Sequence, residues 1–168
     1  MFFELIATFA AGIAAAGLAL IANHLTGGRL PRWTLPVAAG IAMLGYTIWS
    51  EYTWGPRTRA ALPEGVEVLM TVEEARFWKP WSYVIPQTTR IMALDRASVQ
   101  TNAQAPGILL ADLYFFARWT PPAKRPQLVD CSRLARADVS DAALSDPSGA
   151  AWRSAGRDDP LIEALCQL

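Results

Sequence analysis

One histidine, His24, and two cysteines, Cys131 and Cys166, are all this chain of 168 residues has of the side chains that most often carry nucleophilic or metal chemistry. The stretch from residue 63 onward has no histidine, which excludes a Ser-His or Cys-His nucleophile pair there. Zinc takes four ligands, and two separated thiols with one remote imidazole do not supply them. A phosphate-cradling glycine loop, a nucleophile elbow, an HExxH and a CxxC are missing as well. Gly27-Gly28 stands alone and reads as a turn. Basic excess is also lacking. Formal net charge is zero, and after Trp54 thirteen Arg and Lys stand against thirteen Asp and Glu. Nucleic acid is therefore not an expected partner, and no cofactor or metal is implied.

Charge is scarcest at the start. Leu5 to Ala22 carries none and is long enough to cross a bilayer as a helix, while Leu35 to Trp49 is a second, shorter apolar run flanked by aromatics. The reading is a transmembrane helical hairpin over 1–62, with spans at about 3–23 and 34–54 and the second helix extending as far as 62. A domain over 63–168 follows. Met-Phe-Phe-Glu lacks the basic region of a cleaved leader, which favours a retained span. Arg29 and Arg32 place loop 24–33 in the cytoplasm by the positive-inside rule, so both termini are expected in the periplasm. No Asp, Glu, Lys or Arg lies deep in either run, which argues against an ion or proton path. Thr8, Gly12 and Ala16 form a small-residue face on the first helix, and Ala38, Ala42 and Gly45 one on the second. Such faces let helices approach closely in lipid, within one chain or against a neighbour.

After the hairpin, Val66, Val68, Met70 and Val72 alternate with polar residues and predict a strand. Arg90 to Ala97, Ile108 to Trp119 and Gln127 to Cys131 are three more, with a loop opened by Thr120-Pro121-Pro122 before the last. Asp138 to Arg157 is polar, with a turn at Asp146-Pro147-Ser148-Gly149. Asp159-Pro160 then starts a short terminal helix. The expected class is α+β: the helical hairpin, a small antiparallel sheet and a short C-terminal helix. A Cys131–Cys166 disulfide would staple that helix to the fourth strand in an oxidising compartment. The basic stretch Arg118–Arg136 and the acidic stretch Asp138–Glu163 are expected to pack near each other.

Chemistry is sparse. Glu73-Glu74 is the one adjacent glutamate pair and, with Arg76 beside it, reads as a solvated strand end. The most unusual segment is Phe77 to Pro86 (FWKPWSYVIP), with four aromatics and two prolines in ten residues. Its rings could fill a core, rest at a membrane surface with Trp49 and Trp54, or bind a partner through Trp78, Trp81 and Tyr83.

Trp49 to Trp54 (WSEYTW), Ala61-Leu62-Pro63, Trp78-Lys79-Pro80-Trp81 and Tyr83, with Asp130-Cys131 and Cys166, resemble a pattern in uncharacterised proteobacterial inner-membrane proteins with two N-terminal spans and a periplasmic domain. The resemblance implies an envelope setting and carries no catalytic residue. The functional expectation is a non-catalytic accessory or scaffold protein of an inner-membrane complex, with the lipid bilayer and other inner-membrane proteins as partners. The alternatives are a tethered periplasmic ligand-binding or sensing module, which needs a concave apolar pocket, and a carboxylate-dependent envelope enzyme, which needs two facing acids.

Overall fold

The computed structural model describes residues 2–102 and 105–166 and divides into two compact units, 1–57 and 58–168. The boundary falls slightly before the expected one, near the end of the second helix.

In the first unit, helix α1 (Phe2–Leu25) and helix α2 (Thr34–Ala60) are joined through Gly27 and Gly28, both at positive φ. The Gly28 amide donates to the Asn23 carbonyl at 2.8 Å, closing α1 with the left-handed ending that glycine allows. Gly12 is buried against the Met43 side chain, a point of contact between the two helices. Ser50 Oγ donates to Glu4 Oε1 at 3.1 Å, a polar clasp that ties one end of the pair. Gly55-Pro56 lies inside α2 and does not end it. Proline costs one ladder hydrogen bond, and α2 nonetheless continues through it to Ala60.

Among the described residues, only α1 is long and apolar enough to cross a membrane, with a mean hydropathy of 2.3 over its best stretch. Length and composition of this kind belong to anchors and to export leaders alike. The expectation of two spans is not supported. Thr47, Ser50, Glu51 and Thr53 interrupt the apolar run of α2, and Arg57 and Arg59 occupy its end. The multi-pass topology, with loop 24–33 inside and both termini outside, loses its basis with it.

The second unit is an antiparallel meander of six strands in sequence order: β1 (Val66–Glu74), β2 (Gln87–Asn102), β3 (Ala105–Ala117), β4 (Thr120–Asp130), β5 (Ala135–Asp138) and β6 (Arg153–Ser154). Bulges interrupt β1 after Val68 and β2 after Asp95, and such insertions bend and twist the strand that carries them. The apolar run ILLADLYFFARW does not alternate because β3 is covered on both faces. On one face Ala111 and Leu113 pack with Met92, Leu94 and Val129 beneath Leu161 and Ile162 of helix α4 (Pro160–Cys166). On the other, Ile108 and Leu110 join Leu128, Ala137 and Trp152 under Ala143 of helix α3 (Asp141–Ser145). Fully burying a Leu or Ile stabilises by roughly 1.5–3 kcal/mol, so the five large aliphatics with 0–1% exposure (Ile91, Leu94, Leu113, Leu161, Ile162) anchor the unit.

Cys131 and Cys166 form a disulfide with Cα atoms 5.5 Å apart, stapling α4 to the segment after β4 as expected. Asp130 organises that segment. Its carboxylate accepts from Ser132 N (2.9 Å), Ser132 Oγ (2.6 Å) and Arg133 N (3.1 Å) just before Leu134 takes a positive φ. Burial alone would raise its pKa, but these hydrogen bonds and the Arg133 charge hold it below the usual carboxylate range.

Two expectations, the loop at Thr120–Pro122 and the extent of the second strand, are corrected here, and the stretch 138–157 gains detail. Thr120-Pro121-Pro122 opens strand β4 after a tight turn, not a loop. Within β4 only Gln127–Asp130 pair with β5, so among the described residues the Pro-rich stretch Thr120–Pro126 has no strand on that side. The polar stretch from Asp138 to Arg157 supplies the end of β5, α3 and β6. β2 also runs well beyond Arg90–Ala97, because a bulge rather than a strand end lies at Asp95.

Candidate functional site

The segment between β1 and β2 is held from within by Ser82, which is fully buried. Its hydroxyl accepts from Arg76 N at 2.8 Å and donates to Lys79 O at 2.6 Å. Pro80 opens a 3-10 turn (Pro80–Tyr83), and Lys79 Nζ donates to the buried Gln87 Oε1 at 3.3 Å. One buried hydroxyl and one proline thus fix a loop whose apolar side chains point outward. Phe77 (80% exposed), Trp78 (56%), Tyr83 (65%), Val84 (81%) and Ile85 (60%) all stand in solvent. Phe77 and Trp78 meet edge to face at 4.8 Å, and the Arg76 guanidinium lies 5.4 Å from the Trp78 ring centre. Arg76 also pairs with Glu74 at 2.8 Å, and that hydrogen bond is the main reason the Glu74 carboxyl titrates below its ordinary value. Trp81 is half-buried. Core filling, the first use considered for these rings, therefore describes Trp81 alone.

The remaining residues singled out from the sequence lie in the helical unit. Trp49 is exposed, with the Arg57 guanidinium 5.7 Å from its ring centre, and Trp54 is half-buried. Thr8 donates to the Glu4 carbonyl at 2.8 Å, Ala16, Ala38 and Ala42 are half-buried, and Gly45 is exposed with open space at its Cβ position. Small size at Gly12 is used for helix contact, whereas at Gly45 it is not.

Acid pairs offer little chemistry. Glu73 and Glu74 are successive strand residues and point to opposite faces. Asp95 and Asp112 do face each other across β2 and β3, an arrangement invisible in the sequence. However, Asp112 is paired with Lys124 at 2.8 Å and Asp95 caps the β2 bulge by accepting from Ala97 N at 3.0 Å. The Asp112 hydrogen bond raises the Lys124 pKa, so the ammonium is the group held in its charged form. Among the described residues, no three His, Cys, Asp or Glu converge as metal ligands would.

Sequence reasoning missed a cleft of about 520 Å³ beside α4, floored by Met70, Met92, Leu113 and Phe115 and rimmed by arginines from β4, β5 and β6. The basic and acidic stretches do meet there, Arg136 lying 3.4 Å from Asp159, while Arg153, itself within the acidic stretch, lies 3.0 Å from Asp138. No local signal marks these residues, because three separate strands bring them together.

No protein-family model, curated protein or solved structure matches the chain.

Proposed function

We propose that this is a non-catalytic accessory protein of a bacterial inner-membrane complex, tethered by α1, whose sheet unit recruits a neighbouring membrane protein through the loop between β1 and β2. The observation that carries it is the contrast within that loop: a rigid, internally hydrogen-bonded backbone displaying five large apolar side chains to solvent. Exposed apolar groups gathered in one patch mark interaction sites, and Trp and Tyr dominate binding hot spots. The disulfide supports an oxidising compartment for the sheet unit, which in a bacterium is the periplasm. A photo-crosslinking residue in place of Tyr83, activated in intact membranes, should capture a discrete protein adduct. Trp78→Ala, with the crosslinker still at Tyr83, should remove most of that adduct while leaving the amount of folded protein unchanged. An adduct pattern indistinguishable from that of a crosslinker at exposed Glu64 would refute the proposal.

A second reading, a tethered ligand-binding module, is favoured by one observation: the cleft beside α4 is concave and apolar-floored, and its volume falls within the range of small-molecule sites.

A further inference from the structure

The charges around the cleft do not cancel. Arg136 is paired with Asp159, and Arg153 with Asp138, which also accepts from Gln127 Nε2. Arg125, opposite Leu113 in the register of β3 and β4, lines the same cleft and has no hydrogen-bond or ion-pair partner among the described residues. The rim therefore carries one uncompensated guanidinium above a floor of Met70, Met92, Leu113 and Phe115. All of these residues belong to the sheet unit, so the cleft is complete within it.

An apolar trough with a single positive charge at its edge suits a ligand with one apolar segment and one negative charge. The planar guanidinium fork matches a carboxylate in two parallel hydrogen bonds. A phosphate monoester would bring a charge of roughly −1.5 to −2 at neutral pH, more than the rim leaves open. Methionine is the side chain best able to reshape itself around a flexible chain, and two of them lie in the floor. We infer that the cleft binds a single-chain carboxylate amphiphile, its headgroup on Arg125 and its chain over Met70, Met92 and Phe115. This rests on the ligand-binding reading and adds the chemical class.

The test uses the full chain in lipid nanodiscs with two probes, a diazirine-bearing decanoate and the matching decanol, and locates the adducts by peptide mass spectrometry. The acid should label the segments carrying Met70, Met92 or Phe115, and unlabelled decanoate should compete. Arg125→Ala should lower that labelling about tenfold, the loss of one charge-assisted contact, and should not change labelling by the alcohol. Arg125 is exposed and unpaired, so the variant is expected to keep its fold. Equal labelling by acid and alcohol, unaffected by the variant, would overturn the carboxylate assignment while leaving a ligand-binding module standing. Adducts spread over the sheet with no preference for the cleft would overturn both.

Discussion

The two units distribute their apolar residues in opposite ways. In the sheet unit, Ile91, Leu94, Leu113, Leu161 and Ile162 are sealed inside, and the buried Ser82 and Asp130 are hydrogen-bonded. Among the described residues of the helical unit the buried positions are Gly12, Ser50, Glu51 and Gly55, whereas Phe2, Phe3, Ile13, Leu18 and Ile21 face outward. The first unit keeps its large aliphatics within a core. The second places small and polar groups where helices touch and leaves its large aliphatics unpartnered. That distribution suits an apolar solvent, where burying Leu against Leu brings no hydrophobic gain. The two units thus differ in what they bury, and the perturbations that damage each should differ.

The largest effect is expected at the staple. Cys131→Ser removes a cross-link closing 35 residues and should lower the stability of the sheet unit by about 3–4 kcal/mol, read from tryptophan fluorescence in denaturant. The helical content of α1 and α2 in nanodiscs should be unchanged by it. A simultaneous loss of helix signal would mean that the same perturbation damages both units.

A smaller effect follows at Asp130. Replacing it with Ala leaves the Ser132 and Arg133 amides without their charged acceptor, and should cost about 1.5–3 kcal/mol by the same measurement. The pH dependence has a definite sign. Because the folded carboxyl titrates below its unfolded value of about 3.9, its contribution is complete above that value. It is lost as pH falls through the lower, folded one. The wild-type protein should therefore lose part of its advantage over Asp130→Ala only in acid below about pH 4, and a constant difference across that range would count against this account.

The smallest effect is expected between the helices. A methyl group at Gly12 would press on the Met43 side chain from Cγ to its terminal methyl, a flexible chain that can move to another rotamer. Gly12→Ala should change helix-pair stability by less than about 1 kcal/mol, a better helix propensity offsetting the displaced contact. A large loss on this substitution would show that Met43 has nowhere to go.

Much of this division was legible in the sequence, because it rests on local pattern. The uncharged run of α1, the alternation in β1, the Asp-Pro start of α4 and the two cysteines each carry their meaning within a few residues. What failed was whatever depends on a neighbour. Proline at positions 121, 122 and 126 reads as loop, yet an edge strand tolerates residues that donate nothing on its open side. Short β5 and β6 exist only because each has a strand to pair with. The aromatic-proline segment stood out by composition, but its exposure depends on Ser82, an unremarkable serine that closes the loop. Arg125, Arg136 and Arg153 lie in ordinary polar surroundings along the chain and share a rim only after folding.

The bare margin of β4 also limits how anything can attach to this molecule. An incoming chain that tried to extend the sheet there would find, over Thr120–Pro126, three residues with no amide proton to offer. Backbone-to-backbone zippering, the route by which open sheets polymerise or capture extended peptides, is disabled along that lip. Whatever docks along that stretch of β4 has to rely chiefly on side chains, which makes association at this edge a matter of chemical identity.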